Sequence, residues 1–363
     1  MNTLATPPQN IQAVSTPSTL NYDAIVKQCA ARKADNGAQF TSSKGKASLL
    51  SVAIDCVRSQ LGISKFDENG KRNAIPDDKF KELRQAVDLF WHNEAREIVE
   101  QAIACAEEGA AIVHFHPYDP VSGRQRDDAE IYAPIIERIR SKVDVICYGT
   151  LPFAGDIDAR SSLSATQRYQ AVEALASAGV LEWTVVDPGS THITTHKDIA
   201  HGKQGFIYAN PEDHVRHGLG LCQQYQLTPS YAIYEPGFMR LGAALQRSMS
   251  GMPQAVYRLM FSDDFTFGFP PQAWAVEAYA QLLAVEAAGS PWMVAGLGVQ
   301  IDPLIELAVS LGGHVRVGLE DAPLGHTVTN LEQVRAARAR IEDCSGQLAS
   351  AAEIRRATAH STA

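Results

Sequence analysis

Two histidines stand two residues apart at the end of an apolar run. The run AIVHFH covers 111–116 and contains His114 and His116. In a β-strand, side chains two residues apart project from the same face, so both imidazoles point the same way. Imidazole nitrogen is a preferred ligand of zinc and of other divalent transition metals. The pair therefore predicts two metal ligands, although two neighbouring histidines with a structural role are an open alternative.

A second group of charged residues lies near the C-terminus, in the segment HVRVGLED over 314–321. If this segment is a strand, Arg316 and Glu320 share one face, and Asp321 follows directly. Burying either charge without a partner costs several kcal/mol, so the pattern predicts an ion pair or a ligated metal. If the last strand closes a barrel beside the first, Glu320 comes within reach of the two histidines. Two histidines and one glutamate with an open position are a ligand set of catalytic zinc.

The elements that must position these residues are short apolar runs alternating with stretches of helical period, typical of β-α units and a parallel sheet. Eight runs are predicted to be strands: 48–56, 111–116, 143–150, 183–187, 228–235, 257–262, 291–297 and 314–319. Helices fit 94–109, 164–178, 211–226, 272–288, 302–311 and 329–342, and a stripe of isoleucines (Ile131, Ile135, Ile136, Ile139) predicts another that faces the core. Eight parallel strands and their helices favour an α/β fold of the closed (β/α)8 TIM-barrel type over an open doubly wound sheet.

The predicted organisation is a single barrel domain with an N-terminal extension. Residues 1–45 are rich in Pro, Ser, Thr, Gln and Asn and are expected to form an arm. Residues 46–345 are expected to form the TIM-barrel catalytic domain, and 346–363 a C-terminal helix or tail. The first connection, 57–93, is long enough to be a lid or an oligomer contact.

Composition and charge exclude several functional classes. The chain is 45% hydrophobic and 20% charged, which is ordinary for a globular protein. A net charge of -9 argues against nucleic acid as a partner, since that needs a concentrated basic face. No apolar run approaches the ~18 residues that span a bilayer, and no secretory signal pattern opens the chain. We therefore expect a cytoplasmic protein without a membrane partner, whose six scattered cysteines are reduced thiols.

Other histidines have a weaker case as ligands. His192, His196 and His201 lie in THITTHKDIAHG, and the spacing of the first two would suit a metal site on a helix. Threonines are poor helix formers, so this segment is predicted to be a solvated loop. His214 and His217 are predicted to lie on the surface of the helix at 211–226.

At these segments the sequence resembles a known enzyme family. GAAIVHFH followed by Pro117, the block GGHVRVGLED, and WMVAGLG before that block look like the β-keto acid cleavage enzymes, whose best-described type is the 3-keto-5-aminohexanoate cleavage enzyme. The resemblance runs from about Leu49 to Arg355, thinly over 57–93 and 188–205. GGHVRVGLED is the highly specific part.

The resemblance implies a (β/α)8 barrel, usually a homotetramer, that holds Zn²⁺ and exchanges a β-keto acid with acetyl-CoA to give acetoacetate and a new acyl-CoA. Matching the motifs residue by residue makes His114, His116 and Glu320 the zinc ligands. Arg316 and Asp321 become the pair that activates the substrate. Zinc is expected from ligand type and family alone, because two histidines and a glutamate also accept other divalent ions.

Several positions that depart from the family pattern bear on the substrate. Arg58 stands near a place where the type enzyme has an acidic residue for the substrate's amino group, and Ala232 replaces a glutamate, while Glu235 matches. Arginine repels an ammonium group and attracts a carboxylate, so we expect a β-keto acid with a neutral or anionic side chain. Arg58, Tyr148, Thr150 and Glu235 are the predicted substrate contacts. A surface ion pair for Arg58 and a turn role for Thr150 are the open alternatives.

Two other activities are compatible with the sequence. One is a zinc-dependent TIM-barrel hydrolase or aldolase that does not use CoA, and formation of an acyl-CoA discriminates against it. The other is a non-catalytic barrel that has kept a metal site. This alternative would be favoured if ligand binding were the only detectable property and alanine at Asp321 or Arg316 left it unchanged.

Overall fold

The computed structural model describes residues 55, 57–61, 63–64, 75–76, 79, 96–117, 127–152, 163–323 and 328–359. The expected N-terminal arm, most of the first expected strand and most of the connection at 57–93 lie outside the described residues. Residues 55 and 57–60 are helical. The predicted C-terminal boundary of the strand expected over 48–56 was therefore wrong, because residue 55 is already helical.

Parallel strands form the wall of the fold. In chain order, the described strands are β1 (Ile112–His114), β2 (Ile146–Tyr148), β3 (Trp183–Val185), β4 (Thr191–Ile193), β5 (Phe206–Tyr208), β6 (Thr228–Ile233), β7 (Val256–Phe261), β8 (Trp292–Gly296) and β9 (His314–Val315). β1 pairs in parallel with β2, and β3, β6, β7, β8 and β9 form a parallel sheet in that order.

The two sheets join into an α/β barrel of the (β/α)8 type, as the sequence predicts. β2 lies against β3, and Glu320, a few residues after β9, contacts His114 and His116 beside β1. The segment after β9 and the end of β1 therefore lie side by side where the ring closes.

Helices alternate with the parallel strands and cover the outside of the barrel. They are α1 (96–107), α2 (Ala129–Arg140), α3 (Ala165–Ser177), α4 (His196–Ala200), α5 (Glu212–Tyr225), α6 (Pro236–Arg247), α7 (Ala273–Glu286), α8 (Ile305–Ser310), α9 (Asn330–Asp343) and α10 (Ala351–Thr358). A 3₁₀ turn over Asp302–Leu304 precedes α8. Within the described ranges, none of these helices is long and apolar enough to cross a membrane.

The burial of the strands explains why they read as continuous apolar runs. Every residue of β6, β7 and β8 is buried. Strands covered by helices on one face and by the barrel interior on the other bury both faces, so an apolar and polar alternation is absent. The isoleucine stripe of α2 is confirmed as core, since Ile135, Ile136 and Ile139 are buried and Ile131 packs against the same core.

Helix α6 is an element that the sequence did not predict. It follows β6 and begins PGFMRLG, with Pro236 at its first position. Proline fits there because its missing N–H would have no partner in the first turn. Gly237 and Gly242 further weaken the helical signal. Phe238, Met239 and Leu245 nevertheless bury one face of α6, and this packing outweighs the low propensity.

The prediction of a loop around His192 was wrong. Thr191–Ile193 and Phe206–Tyr208 form an antiparallel hairpin, and α4 lies between its strands with Thr195 as its N-cap. His192 and His196 are exposed, so their side chains face solvent as expected.

Another correction concerns His214, which is buried rather than on the surface, while the ring of His217 lies 5.9 Å from that of Tyr169. The four cysteines that the structure describes, Cys105, Cys147, Cys222 and Cys344, are free, and their reduced state stays a prediction.

Candidate active site

His114, His116 and Glu320, called here the metal triad, converge at the C-terminal end of the barrel strands. The two histidine Nε2 atoms are 3.0 Å apart. Glu320 Oε2 lies 3.4 Å from Nε2 of His114, and Oε1 lies 3.1 Å from Nε2 of His116. His114 ends β1, His116 follows two residues later, and Glu320 follows β9. The period of the strand and the closure of the ring therefore bring these three together.

The protonation states of the triad suit metal ligation. Burial lowers the pKa of His114 well below its ordinary value, and Arg316 adds to this effect, although Glu320 opposes it. Burial raises the pKa of Glu320, but Arg316 and the two histidines outweigh burial and hold that pKa well below its ordinary value. A neutral imidazole and a carboxylate are the forms that bind a divalent ion.

The donor set also fits a divalent ion in size. Two atoms bound tetrahedrally to zinc at about 2.05 Å are about 3.3 Å apart. The three contacts within the triad, between 3.0 and 3.4 Å, bracket this separation. One atom from each of the three side chains lies within 4.8 Å of the others. The residues present therefore fit a cation that binds two imidazoles and one carboxylate.

Arg316, which is half-buried, and Asp321, which is buried, form an ion pair beside the triad. Arg316 donates from Nε to Asp321 Oδ2 at 2.8 Å and from Nη2 to Oδ1 at 2.9 Å. Nη2 also donates to Glu320 Oε2 at 2.6 Å, so one guanidinium connects the carboxylate of the triad with that of Asp321. Burial raises the pKa of Asp321 to about 6, despite the opposing charge of Arg316. This carboxylate is held in a fixed orientation with a raised proton affinity, which suits a general base.

Tyr148, at the end of β2, lies inside the barrel next to the triad. Its ring centroid is 4.9 Å from that of His114. Its hydroxyl is 3.3 Å from Oγ of Ser230 on β6, across the interior. Tyr148 is buried, so its phenol forms part of the inner wall of the site.

Comparison with known proteins identifies the family. The sequence pattern of the beta-keto acid cleavage enzyme family matches residues 93–359. The chain belongs to this family. The match confirms the resemblance drawn from the HFHP and GGHVRVGLED segments, and it includes the metal triad and the Arg316–Asp321 pair.

Curated relatives in the family have different substrates. The chain is 24% identical, over 72% of its length and 86% of the relative's, to the 3,5-dioxohexanoate:acetyl-CoA acetone transferase of Paraburkholderia graminis. It is 25% identical to the 3-keto-5-aminohexanoate cleavage enzyme of Fusobacterium nucleatum, over 62% and 73%. It is 24% identical to the 3-dehydrocarnitine:acetyl-CoA trimethylamine transferase of Rhizobium meliloti, over 72% and 87%. The names of the three relatives give three different substrates. Membership of the family therefore does not by itself identify the substrate of this chain.

Solved structures support the fold. A ternary complex of ObcA with a C4-CoA adduct and oxalate superposes with a TM-score of 0.56 at 16% identity, covering 73% of this chain and 66% of the ObcA chain. A binary complex of ObcA with oxaloacetate gives a TM-score of 0.55 at 17% identity, over 73% and 66%. The chain thus spans about two thirds of the length of the ObcA chains that it matches.

Two of the predicted substrate contacts, Arg58 and Thr150, have described contacts with residues outside the metal triad. Arg58 is buried and donates from Nη1 to Asp55 Oδ1 at 2.8 Å, within its own helical segment. Thr150 is half-buried and lines a small pocket with residues of α2 and α3, among them Tyr132 and Val172. Whether Arg58 or Thr150 contacts the substrate stays a prediction.

Glu235 lies where the barrel strands end, two residues after the end of β6, and directly precedes α6. Its Oε1 accepts hydrogen bonds from Oγ1 of Thr191 and from the backbone N–H of Gly268, both at 3.1 Å. Gly268 has φ of +51°, and a Cβ there would lie 2.2 Å from the carbonyl oxygen of Tyr234, so a larger residue would not fit. Glu235 thus connects the loop after β7 with the hairpin, and its contact with substrate stays a prediction.

Asp187 and Arg258 are interior charges that sequence reasoning missed. Asp187 follows β3 and accepts from the Tyr208 hydroxyl at 2.6 Å, from the Ala232 N–H at 2.7 Å and from Arg258 Nη2 at 3.4 Å. Burial raises the pKa of Asp187, while Arg258 and the Tyr208 hydroxyl oppose this effect. The signal in the sequence was a charge inside or just after an apolar run. The partner was not predictable, because β3 and β7 are separated in the sheet by β6.

Proposed function

We propose that the protein exchanges a β-keto acid with acetyl-CoA, giving acetoacetate and a new acyl-CoA, and that the β-keto acid has a neutral or anionic side chain. The observation that carries this proposal is the convergence of the metal triad with the Arg316–Asp321 pair at one end of the barrel. Curated relatives of the family whose names specify acetyl-CoA support the co-substrate.

His114, His116 and Glu320 would hold the metal, for which zinc is our proposal. When bound, a divalent ion supplies Lewis acidity that withdraws electrons from the keto and carboxylate oxygens of the substrate. The chain's part is to keep the His114 imidazole neutral through burial and to aim both imidazoles at one point. The contacts of Glu320 with both histidines serve the second purpose.

Asp321 is the proposed general base. Its carboxylate takes a proton from the carbon that lies between the two carbonyl groups of the β-keto acid. Arg316 holds both of its oxygens and so fixes the direction from which the proton is taken. The resulting carbanion forms a new C–C bond with the thioester carbon of acetyl-CoA, and the CoA thiolate leaves.

The CoA thiolate then attacks the original keto carbon, and the bond between that carbon and the deprotonated carbon breaks. The electron pair stays on the fragment that becomes acetoacetate, and the proton held by Asp321 returns to it. Atoms and charges balance without an oxidant or a further co-reactant. Tyr148, beside His114, is the proposed contact for the substrate carboxylate, and Arg58, Thr150 and Glu235 are further proposed contacts.

The deciding experiment mixes a panel of β-keto acids with acetyl-CoA labelled with ¹³C in its acetyl group. Mass spectrometry then follows the acyl-CoA and the acetoacetate, with as-purified and with chelated protein. We expect labelled acetoacetate and an unlabelled acyl-CoA that carries the substrate's side chain, both lost on chelation. Cleavage of the β-keto acids with no acyl-CoA formed would contradict the proposal and favour the hydrolase or aldolase alternative.

A further inference from the structure

A second arginine, Arg258, lies in the interior of the barrel in addition to Arg316, and Arg258 is buried. Arg258 stands in the middle of β7, in register with Ala232 of β6 and Met293 of β8. Its side chain is 6% exposed, and it reaches across β6 towards Asp187 at the end of β3. Burying a charged guanidinium costs free energy unless it is paired and hydrogen-bonded. The partners of Arg258 therefore indicate its role.

The described residues give Arg258 few and long hydrogen bonds. Nη2 donates to Asp187 Oδ1 and to the Ser230 carbonyl oxygen, both at 3.4 Å. Nε is buried and has no acceptor among the described residues. Arg316 also has one buried nitrogen, Nη1, without an acceptor among the described residues, but it makes three hydrogen bonds between 2.6 and 2.9 Å. A guanidinium carries five N–H donors in a rigid fork, so most of the capacity of Arg258 is unused.

Asp187 does not satisfy the unused N–H donors of Arg258. Its two oxygens already accept shorter hydrogen bonds, from the Tyr208 hydroxyl at 2.6 Å and from the Ala232 N–H at 2.7 Å. The carboxylate is therefore fixed by neutral donors, and Arg258 reaches only one oxygen at long distance. Arg258 is balanced in charge but not saturated in hydrogen bonds.

The position of Arg258 connects it to the candidate active site. The Ser230 carbonyl accepts from Arg258, the Ser230 hydroxyl lies 3.3 Å from that of Tyr148, and the Tyr148 ring packs on His114. These contacts connect Arg258, on the inner wall, with His114 of the metal triad, and the charge of Arg258 acts on both His114 and Asp321. With a divalent ion bound, the ion and the two arginines outweigh Asp187, Glu320 and Asp321 by one positive charge. This interior suits an anion.

We propose that Arg258 is a specificity-determining residue that binds a carboxylate on the side chain of the β-keto acid. The inference rests on the proposed function and narrows its substrate class to β-keto dicarboxylates. The unused N–H groups of Arg258 match a carboxylate, which can accept two parallel hydrogen bonds from one guanidinium. The substrate then spans from the metal triad, which takes the β-keto acid end, to Arg258, which takes the other end.

The first test compares ligands of equal length on the wild-type, metal-loaded protein. Calorimetry measures the dissociation constants of glutarate and valerate, which share one carboxylate and differ in the second. We expect glutarate to bind at least about 10-fold more tightly, because only glutarate satisfies both ends. Equal affinities, or no binding of glutarate, would overturn the proposal without any variant.

The second test uses Arg258→Met, which keeps the length of the side chain and removes its charge. The preference for glutarate over valerate should disappear. In the exchange assay, kcat/KM for acetonedicarboxylate should fall about 100-fold, and that for β-oxovalerate, which has a methyl group in place of the second carboxylate, less than about 3-fold. Arg258→Lys keeps the charge and should restore part of the preference. Equal losses for both substrates with an unchanged preference would assign Arg258 a structural role.

Arg168→Met is the matched control. Arg168 is also buried, but it is well paired, donating to the Pro152 carbonyl at 3.0 Å and to Asn210 Oδ1 at 2.8 Å. This variant should lose stability and keep the ligand preference. The two proposals can fail separately. A glutarate preference lost in Arg258→Met, without acyl-CoA formation, would keep the inference and reject the proposed exchange. Acyl-CoA formation without any preference would do the reverse.

Discussion

At the scale of single residues, the metal triad is most directly tested through His116. We expect His116→Ala to lose bound metal and to reduce the exchange rate by at least about 100-fold, since a missing ligand leaves one imidazole and one carboxylate. Elemental analysis of the purified protein gives the metal content, and the exchange assay with acetyl-CoA gives the rate. His192→Ala is the control, because His192 is exposed on the hairpin. Full metal content in His116→Ala would show that the triad is not the metal site.

Asp321→Asn tests the general base separately from the metal. The amide keeps the shape of the side chain and can accept from Arg316 but cannot take a proton, so kcat should fall about 1000-fold. Metal content should be unchanged, because Asp321 is not part of the triad. A variant that keeps more than a tenth of the wild-type kcat would remove Asp321 from the proposed role.

Residue types and spacing determined much of this site. His114, His116, Arg316 and Glu320 were predictable because a strand places alternate residues on one face and because the last barrel strand closes beside the first. The role of Asp321 came from the resemblance to the family. Arg258 was not predictable as a partner of Asp187. Their contact depends on the Arg258 side chain of β7 reaching across β6 to Asp187, and no local pattern encodes that reach.

At the scale of elements, α6 provides a matched pair of glycines. A Cβ at Gly242 would lie 2.8 Å from side-chain atoms of Pro188 and Tyr231, whereas one at Gly237 would meet nothing within 4 Å. Gly242→Ala should therefore lower the free energy of unfolding by about 1–3 kcal/mol through overpacking. Gly237→Ala should leave it unchanged or raise it by up to about 1 kcal/mol.

Denaturant unfolding of both variants beside the wild type gives the comparison. If Gly242→Ala stabilises the protein as much as Gly237→Ala, then α6 does not pack closely on β6 and on the turn after β3. The same two glycines explain why α6 was missed in the sequence. Its helical state is set by the burial of Phe238, Met239 and Leu245, which outweighs the propensity of single residues.

At the scale of the whole molecule, the metal triad ties β1 to the segment after β9. A cation that binds only the folded barrel stabilises it by mass action, by about 2.7 kcal/mol at a free concentration 100-fold above its Kd. Chelation should therefore lower Tm, and added zinc should restore it. Scanning calorimetry of the wild type and of His116→Ala measures these Tm values. A wild-type Tm that chelation leaves unchanged, or an equal change of Tm in His116→Ala, would contradict stabilisation of the barrel by a metal bound at the triad.

The sequence by itself determined the parallel β-α array, the order of its described strands and the two segments that meet in the metal triad. These follow from periodicity and from chain order, which are local properties. The tertiary structure alone decided that α6 is a helix, that 191–208 contains a hairpin, and that Arg258 faces Asp187 inside the barrel. The physical reason is that burial and charge pairing are set by residues far apart in the chain, and these become neighbours only when the sheet has closed.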